Sequence, residues 1–296
     1  MNGNVRSEAA SFVIGDTAYV GSGFDGTERL NDWYAFDATT NSWYQTANFP
    51  GIARNSAIAF SATNKGYIGI GFDGVNRLKD FWQYDPVTNQ WTQKADFGGS
   101  ARYDATAFAL NDKGYVVAGF DGSYLKDFWQ YDPAANAWTE KPNGIGSKRS
   151  AAVAFVYNND AYVVTGTNNG QQVTDFWKYS SQSDLWTELR KISNISDESY
   201  DDDYSDIVRS NATAFVMGNY AYLTTGENSG YTSATWRYDF ANDQWTRKTA
   251  FEGAGRSGAV GFAVQNRGYI TTGKSSSNYF DDVYEFHPDE TYDSND

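Results

Sequence analysis

GFDGVNRLKDFWQYDP, residues 71–86, returns almost unchanged as GFDGSYLKDFWQYDP at 119–133 and in a blurred form as GFDGTERLNDWYAFDA at 23–38. A phrase that recurs at a fixed distance marks a repeat architecture, so the period has to be settled before any motif is interpreted. Two unrelated markers give the same period. Arg stands at 6, 54, 102, 149, 209 and 256, and Trp at 43, 91, 138, 186 and 245. Both step by 47 or 48 residues, with one longer step between the fourth and fifth copies. Six copies are therefore present, and residues 193–207 form an insertion between copies four and five.

Each copy reads as four short strands. In copy two these are SAIAF (56–60), KGYIGIG (65–71), DFWQYD (80–85) and QWTQK (90–94). All are β-branched or aromatic and bounded by Gly, Asn, Asp or Pro. The turn DPVTNQ before the last strand carries the residues tight turns use. Helical periodicity is missing throughout. Four strands in each of six units predict an all-β, six-bladed β-propeller, a single domain over residues 1–296. The first strands pair small residues with one Phe (AIAF, ATAF, AVAF, ATAF, AVGF), which suits inner strands converging on an axis. The Trp-bearing fourth strands suit the outer rim. Aromatic third strands such as Phe81, Trp82 and Tyr84 suit burial on both faces.

The last copy reaches EFHPDETYDSND without its Trp strand, and Asp293 falls where Trp91 would be. The expectation is a sixth blade that is either three-stranded or completed by a Trp strand from a missing N-terminal segment. The second is favoured because the sequence starts at a repeat seam. An uncompleted blade leaves a strand edge open to a partner.

These features resemble the kelch-repeat propellers. The likeness lies in the Arg before the small-residue strand, the strand from Tyr67 to Gly71, the Tyr84-Asp85-Pro86 turn and the Trp91 strand. It departs from them where a Gly pair usually follows the second strand. A single Gly here precedes Phe24, Phe72, Phe120, Thr167, Glu227 or Lys274. The GFDG loops resemble envelope-associated bacterial kelch proteins, which implies an extracytoplasmic location in the periplasm or at the cell surface. The Gly-His and Trp-Asp pairs of WD40 propellers are absent. The resemblance implies a non-catalytic binding or interaction module, with enzymes a minority.

Composition narrows the chemistry. A net charge of −14 repels phosphate backbones, so nucleic acid is not an expected partner. There is no apolar run of about 18 residues and hence no membrane-spanning helix. The absence of Cys and the single His287 leave nothing for a thiolate, His-rich metal or copper–radical site of the galactose oxidase kind, and no cofactor is expected. A triad built on His287 would need a turn position.

Blade topology puts the loop after strand two on the same face as the linker between blades. Arg6, Arg54, Arg102, Arg149, Arg209 and Arg256 are therefore expected near the mouth of the channel. Two readings compete. In one, each Arg staples blades through Asp32, Asp80, Asp127, Asp175 or Asp282, or through loop carbonyls. In the other, unpaired arginines bind an anionic ligand. Positions that vary among copies carry more information about function. Glu8, Tyr103, Asp104 and Asn211 form a candidate polar pocket at the channel mouth, against the alternative of a channel filled only with water. Phe24, Phe72 and Phe120 are candidates for stacking on sugar rings or peptide groups, against the alternative of tucking under their own loops. The expected ligand is a protein, peptide or glycan. The runner-up is a carbohydrate mutarotase or epimerase using Glu8 or Asp104 as acid–base groups with Arg102 or Arg6 on a sugar carboxylate. In the acidic insertion Asp201, Asp202 and Asp203 are weak Ca²⁺ candidates, since the spacing lacks a recognised calcium-loop pattern and a solvated loop is the ordinary reading.

Overall fold

The computed structural model describes residues 3–290. Five antiparallel sheets of four strands and a sixth of three strands, each in sequential order, make the six blades among the described residues. Blade two comprises Ile58–Ala62, Lys65–Phe72, Arg77–Asp85 and Gln90–Lys94. Blade six comprises Val260–Val264, Arg267–Thr271 and Val283–Phe286. The expected Trp position at 293 lies outside the described residues. Short two-residue hairpins decorate the loops after the second strands of blades four and six.

The first strand of blade two starts at Ile58, two residues later than the sequence pattern suggests. Ser56 is the cause. Its φ of 53° lies in the left-handed region, where an extended strand cannot form. The same position is left-handed in every blade: Glu8, Ser56, Asp104, Ala151, Asn211 and Gly258 have φ between 51° and 62°. These six residues hold one another through a closed circuit of backbone bonds. Each N–H donates to the carbonyl of its counterpart in the preceding blade, at 2.8–3.1 Å, and Glu8 N–H closes the circle on Gly258. A second circuit runs outside it. A Gly at or just beyond the end of each second strand donates to the carbonyl of the Arg in the next blade, from Gly23→Arg54 (2.7 Å) round to Gly273→Arg6 (2.8 Å). Gly is required there, since φ is about 100° and a Cβ on Gly23 would lie 2.8 Å from the Ser7 carbonyl oxygen.

The core lies between blades, as the aromatic strands suggest. Phe12 of blade one stacks on Tyr19 (5.1 Å) and meets Tyr84 of blade two (6.2 Å). Trp91 of blade two covers Trp33 at 5.2 Å and hydrogen-bonds its indole N–H to the Ala47 carbonyl. Phe81 and Tyr84 are buried, whereas Trp82 is half-covered and packs on Phe49 of the linker. Close approach between blades explains Gly in the second strand: a Cβ on Gly114 would lie 2.0 Å from the Phe60 ring. No helix among the described residues is long and apolar enough to cross a membrane.

Candidate functional site

The surroundings of the six repeated arginines decide between structural staples and a ligand-binding ring. All six are fully buried. Arg54 shows the pattern. Its Nη1 and Nη2 donate to the two oxygens of Asp80, both at 2.7 Å; Nη1 also reaches the Ile70 carbonyl and Nε the Ile52 carbonyl. Phe49 covers the guanidinium face at 4.9 Å. Asp80 takes a further bond from the Trp82 indole at 2.8 Å. Burial raises the Asp80 carboxyl, but Arg54 outweighs that and holds it below the ordinary range. Arg6, Arg102 and Arg256 repeat this fork with Asp32, Asp127 and Asp282, and Arg149 bonds Asp175. With every guanidinium nitrogen hydrogen-bonded and no surface exposed, these arginines have nothing to offer a ligand. The expectation of an Arg ring binding an anion, or of Arg102 or Arg6 gripping a sugar carboxylate, is corrected accordingly.

Arg209 is the exception that explains the insertion. Ala234 stands where the other blades place their Asp, so Arg209 donates to the carbonyls of Ala234, Thr225, Ile207 and Asp206. Burial pulls its pKa down to about 10. Asp206, from the insertion, supplies the missing acid at 3.9 Å and takes the Trp236 indole bond at 2.7 Å. The Ca²⁺ candidates do not converge. Asp201 turns inward, where its carboxylate accepts Ile195 N–H, Ser196 N–H and the Ser196 hydroxyl, each at 3.0 Å. Asp202 and Asp203 are exposed. Among the described residues no group of three or more His, Cys, Asp or Glu is placed to hold a metal ion.

The left-handed circuit forms the mouth of the channel. Glu8, Ser56, Asp104, Ala151, Asn211 and Gly258 line a cavity of about 150 Å³ there, each followed by an Ala of the waist below. The waist (about 180 Å³) is lined chiefly by small residues, and an apolar vestibule of about 400 Å³ opens beyond it, lined by Phe12, Phe60, Phe108, Phe155 and Phe215. Glu8 Oε2 accepts from Asn55 Nδ2 (2.5 Å) and the Ser56 hydroxyl (2.9 Å), and Oε1 meets Lys274 Nζ at 3.3 Å. Asn211 Nδ2 donates to Glu227 Oε1 at 2.8 Å. Burial in the protein wall, followed by repulsion from Glu8 and a smaller push from Glu227, raises Asp104 to about 7, against a lowering pull from Ser56 and Lys274. Its surface is nonetheless partly accessible, because the wall that encloses it is that of an open channel. Lys274 is held above its ordinary value: burial lowers it and the Glu8 carboxylate more than compensates.

Tyr103 does not line this cavity. It belongs to an aromatic collar outside it, between Phe72 (5.3 Å) and Phe120 (5.5 Å). The collar runs from Tyr279 against Phe24 (5.8 Å) through Phe72 and Tyr103 to Phe120 and Tyr124 (5.0 Å). Arg29 lies over Phe24 (4.6 Å) and Phe72 (5.4 Å) and bonds Asn55 Oδ1; Arg77 lies over Phe120 (5.4 Å). The three Phe are half-buried: Arg29 and Tyr124 of their own loops partly cover Phe24 and Phe120, and Arg29 and Arg77 of the preceding blades lie over Phe72 and Phe120. Burial and the neighbouring Asp104 raise the Tyr103 hydroxyl.

Two mouth residues, Glu227 and Lys274, escaped the sequence reading. They occupy the same repeat position as Phe24, Phe72 and Phe120, bridged to the residue after each Arg. That column was legible; the inward direction of its side chains was not.

Comparison with known proteins agrees with the repeat. The kelch motif matches residues 71–98, 101–144 and 148–192. Three stretches of the chain are kelch motifs. Among 728 solved chains similar to it is one titled "Structure of YjhT", with a TM-score of 0.78 and 16% identity over 94% of each chain. At that identity the likeness is one of fold. No curated protein sequence matches the chain.

Proposed function

We propose that this propeller is a binding module whose protein, peptide or glycan ligand seats on the face carrying the channel mouth and the collar. The observation that supports this is that Glu8 and Asp104 line one small cavity and Glu227 is hydrogen-bonded to Asn211 of the same lining. A ring of backbone bonds holds the blades together whatever side chains it bears, so the scaffold has no need of three like charges there. Like charges brought together in a walled space cost stability, and such costs persist at sites that do work. Placing the site at the mouth moves it inward from the arginines to Glu8, Asp104, Asn211, Glu227 and Lys274, with Tyr103, Phe24, Phe72 and Phe120 around it. An extracytoplasmic location belongs to the same proposal and rests on the GFDG resemblance.

The test is chemical-shift mapping with a panel of peptides and glycans. Saturable shifts clustered at the mouth on blades one to three, five and six support the module. Shifts at the rim or the opposite vestibule count against it.

One observation favours the runner-up, a sugar mutarotase or epimerase: an Asp104 that titrates near 7 suits proton transfer at neutral pH. Accelerated anomer exchange that is lost in Glu8→Gln or Asp104→Asn would establish it. Unchanged exchange rates would remove it.

A further inference from the structure

We infer that the channel mouth takes one cationic side chain, a lysine or arginine, from a basic segment of a partner polypeptide. This rests on the binding-module reading and names the chemistry of its ligand. Of the three carboxylates at the mouth, Glu8 has a directly paired cation, Lys274, while Arg29 reaches the mouth only through Asn55 and Arg77 lies out over Phe120. Asn211 occupies one oxygen of Glu227. Among the described residues no cation pairs with Asp104, and Ala151, its neighbour in the circuit, leaves that side without bulk.

Size and surroundings fit the same occupant. A cavity of about 150 Å³ admits the end of one side chain. A guanidinium or ammonium entering it would set its aliphatic stem against the Tyr103, Phe120 and Tyr124 arc of the collar, as long basic side chains do when they cover apolar surface. An acidic segment would meet Glu8, Asp104 and Glu227, and the arginines beneath are fully buried and forked to their own Asp partners. The net charge of −14 draws a basic segment toward the whole molecule, so the mouth has to be separated from that general attraction.

The experiment titrates the intact protein by calorimetry with the peptide Ser-Gly-Arg-Gly-Ser and with its citrulline and glutamate counterparts. Citrulline keeps the shape of arginine and removes the charge. The arginine peptide is expected to bind at least tenfold more tightly than the citrulline peptide. Asp104→Asn should abolish most of that preference. Asp16→Asn, in the turn between the first two strands and so on the opposite face, removes the same charge and should leave the preference intact. Equal binding of the arginine and citrulline peptides overturns the inference, as does an equal loss in both variants. If the glutamate peptide or a neutral glycan binds at the mouth instead, the inference fails and the module stands. If nothing binds there, the module fails with it.

Discussion

Replacing Asp104 by Asn should stabilise the protein, by an amount that grows from nothing near pH 4 to its full value above about pH 7. The side chain sits in the channel wall beside Glu8 and Glu227, and its pKa rises from 3.8 to about 7. One pKa unit is worth about 1.4 kcal/mol, so the shift sets a ceiling of about 4 kcal/mol. Water reaches the carboxylate through the open mouth and screens it, which leaves about 1–2 kcal/mol. The sign follows from the proton count. Below pH 3.8 the group is protonated in both states and contributes nothing. Between 3.8 and about 7 the folded protein keeps a proton that the unfolded chain releases, so stability falls as pH rises. Above 7 the penalty is complete. Asn carries no charge, so Asp104→Asn should match the parent near pH 4 and exceed it by about 1–2 kcal/mol at pH 8. Urea unfolding of both proteins at pH 4, 6 and 8 reads this as a difference between two curves, which cancels every other titrating group. A gain of the same size at all three values, or a loss at pH 8, would refute the reasoning, since either would mean that Asp104 is not a strained carboxylate.

Asp80→Ala leaves Arg54 charged, buried and without its fork, and should cost about 3–5 kcal/mol in urea unfolding; a cost below about 1 would show that the pair is ornamental. Asp206→Ala takes the acceptor from the Trp236 indole and the paired carboxylate from Arg209, with an expected cost of about 1–3 kcal/mol by the same measurement. Gly114→Val drives a branched side chain into the Phe60 ring and should lower the melting temperature by several degrees, whereas Gly114→Ala should be milder because Ala18, Ala161 and Ala221 hold the equivalent place in other blades.

Much of this architecture is legible in the sequence because a propeller is written as a period. Arg and Trp recurring together fix six copies, and the column two residues after each Arg locates the channel mouth. Two things were hidden. The Asp that occupies Arg54 lies 26 residues on, as does Asp32 from Arg6, and that constant spacing was visible, but only the depth of burial shows that nothing of the arginine is left over. Glu227 and Lys274 stood in an aligned column, yet whether a loop residue turns toward the axis or the rim depends on the bridge its backbone makes with the neighbouring linker. The insertion was opaque for a related reason: its value lies in Asp206 replacing an acid missing at Ala234, a compensation between segments that no local pattern reports.

The central claim is that ligands enter at the mouth, and one substitution tests it most directly. Ala151 faces the cavity from blade four and is already left-handed, so Ala151→Trp should plug the mouth while the blades stay folded. Parent and variant, matched for unfolding midpoint, are applied to the same peptide and glycan arrays. The ligands bound by the parent should be lost from Ala151→Trp. An identical set bound with equal strength would contradict it.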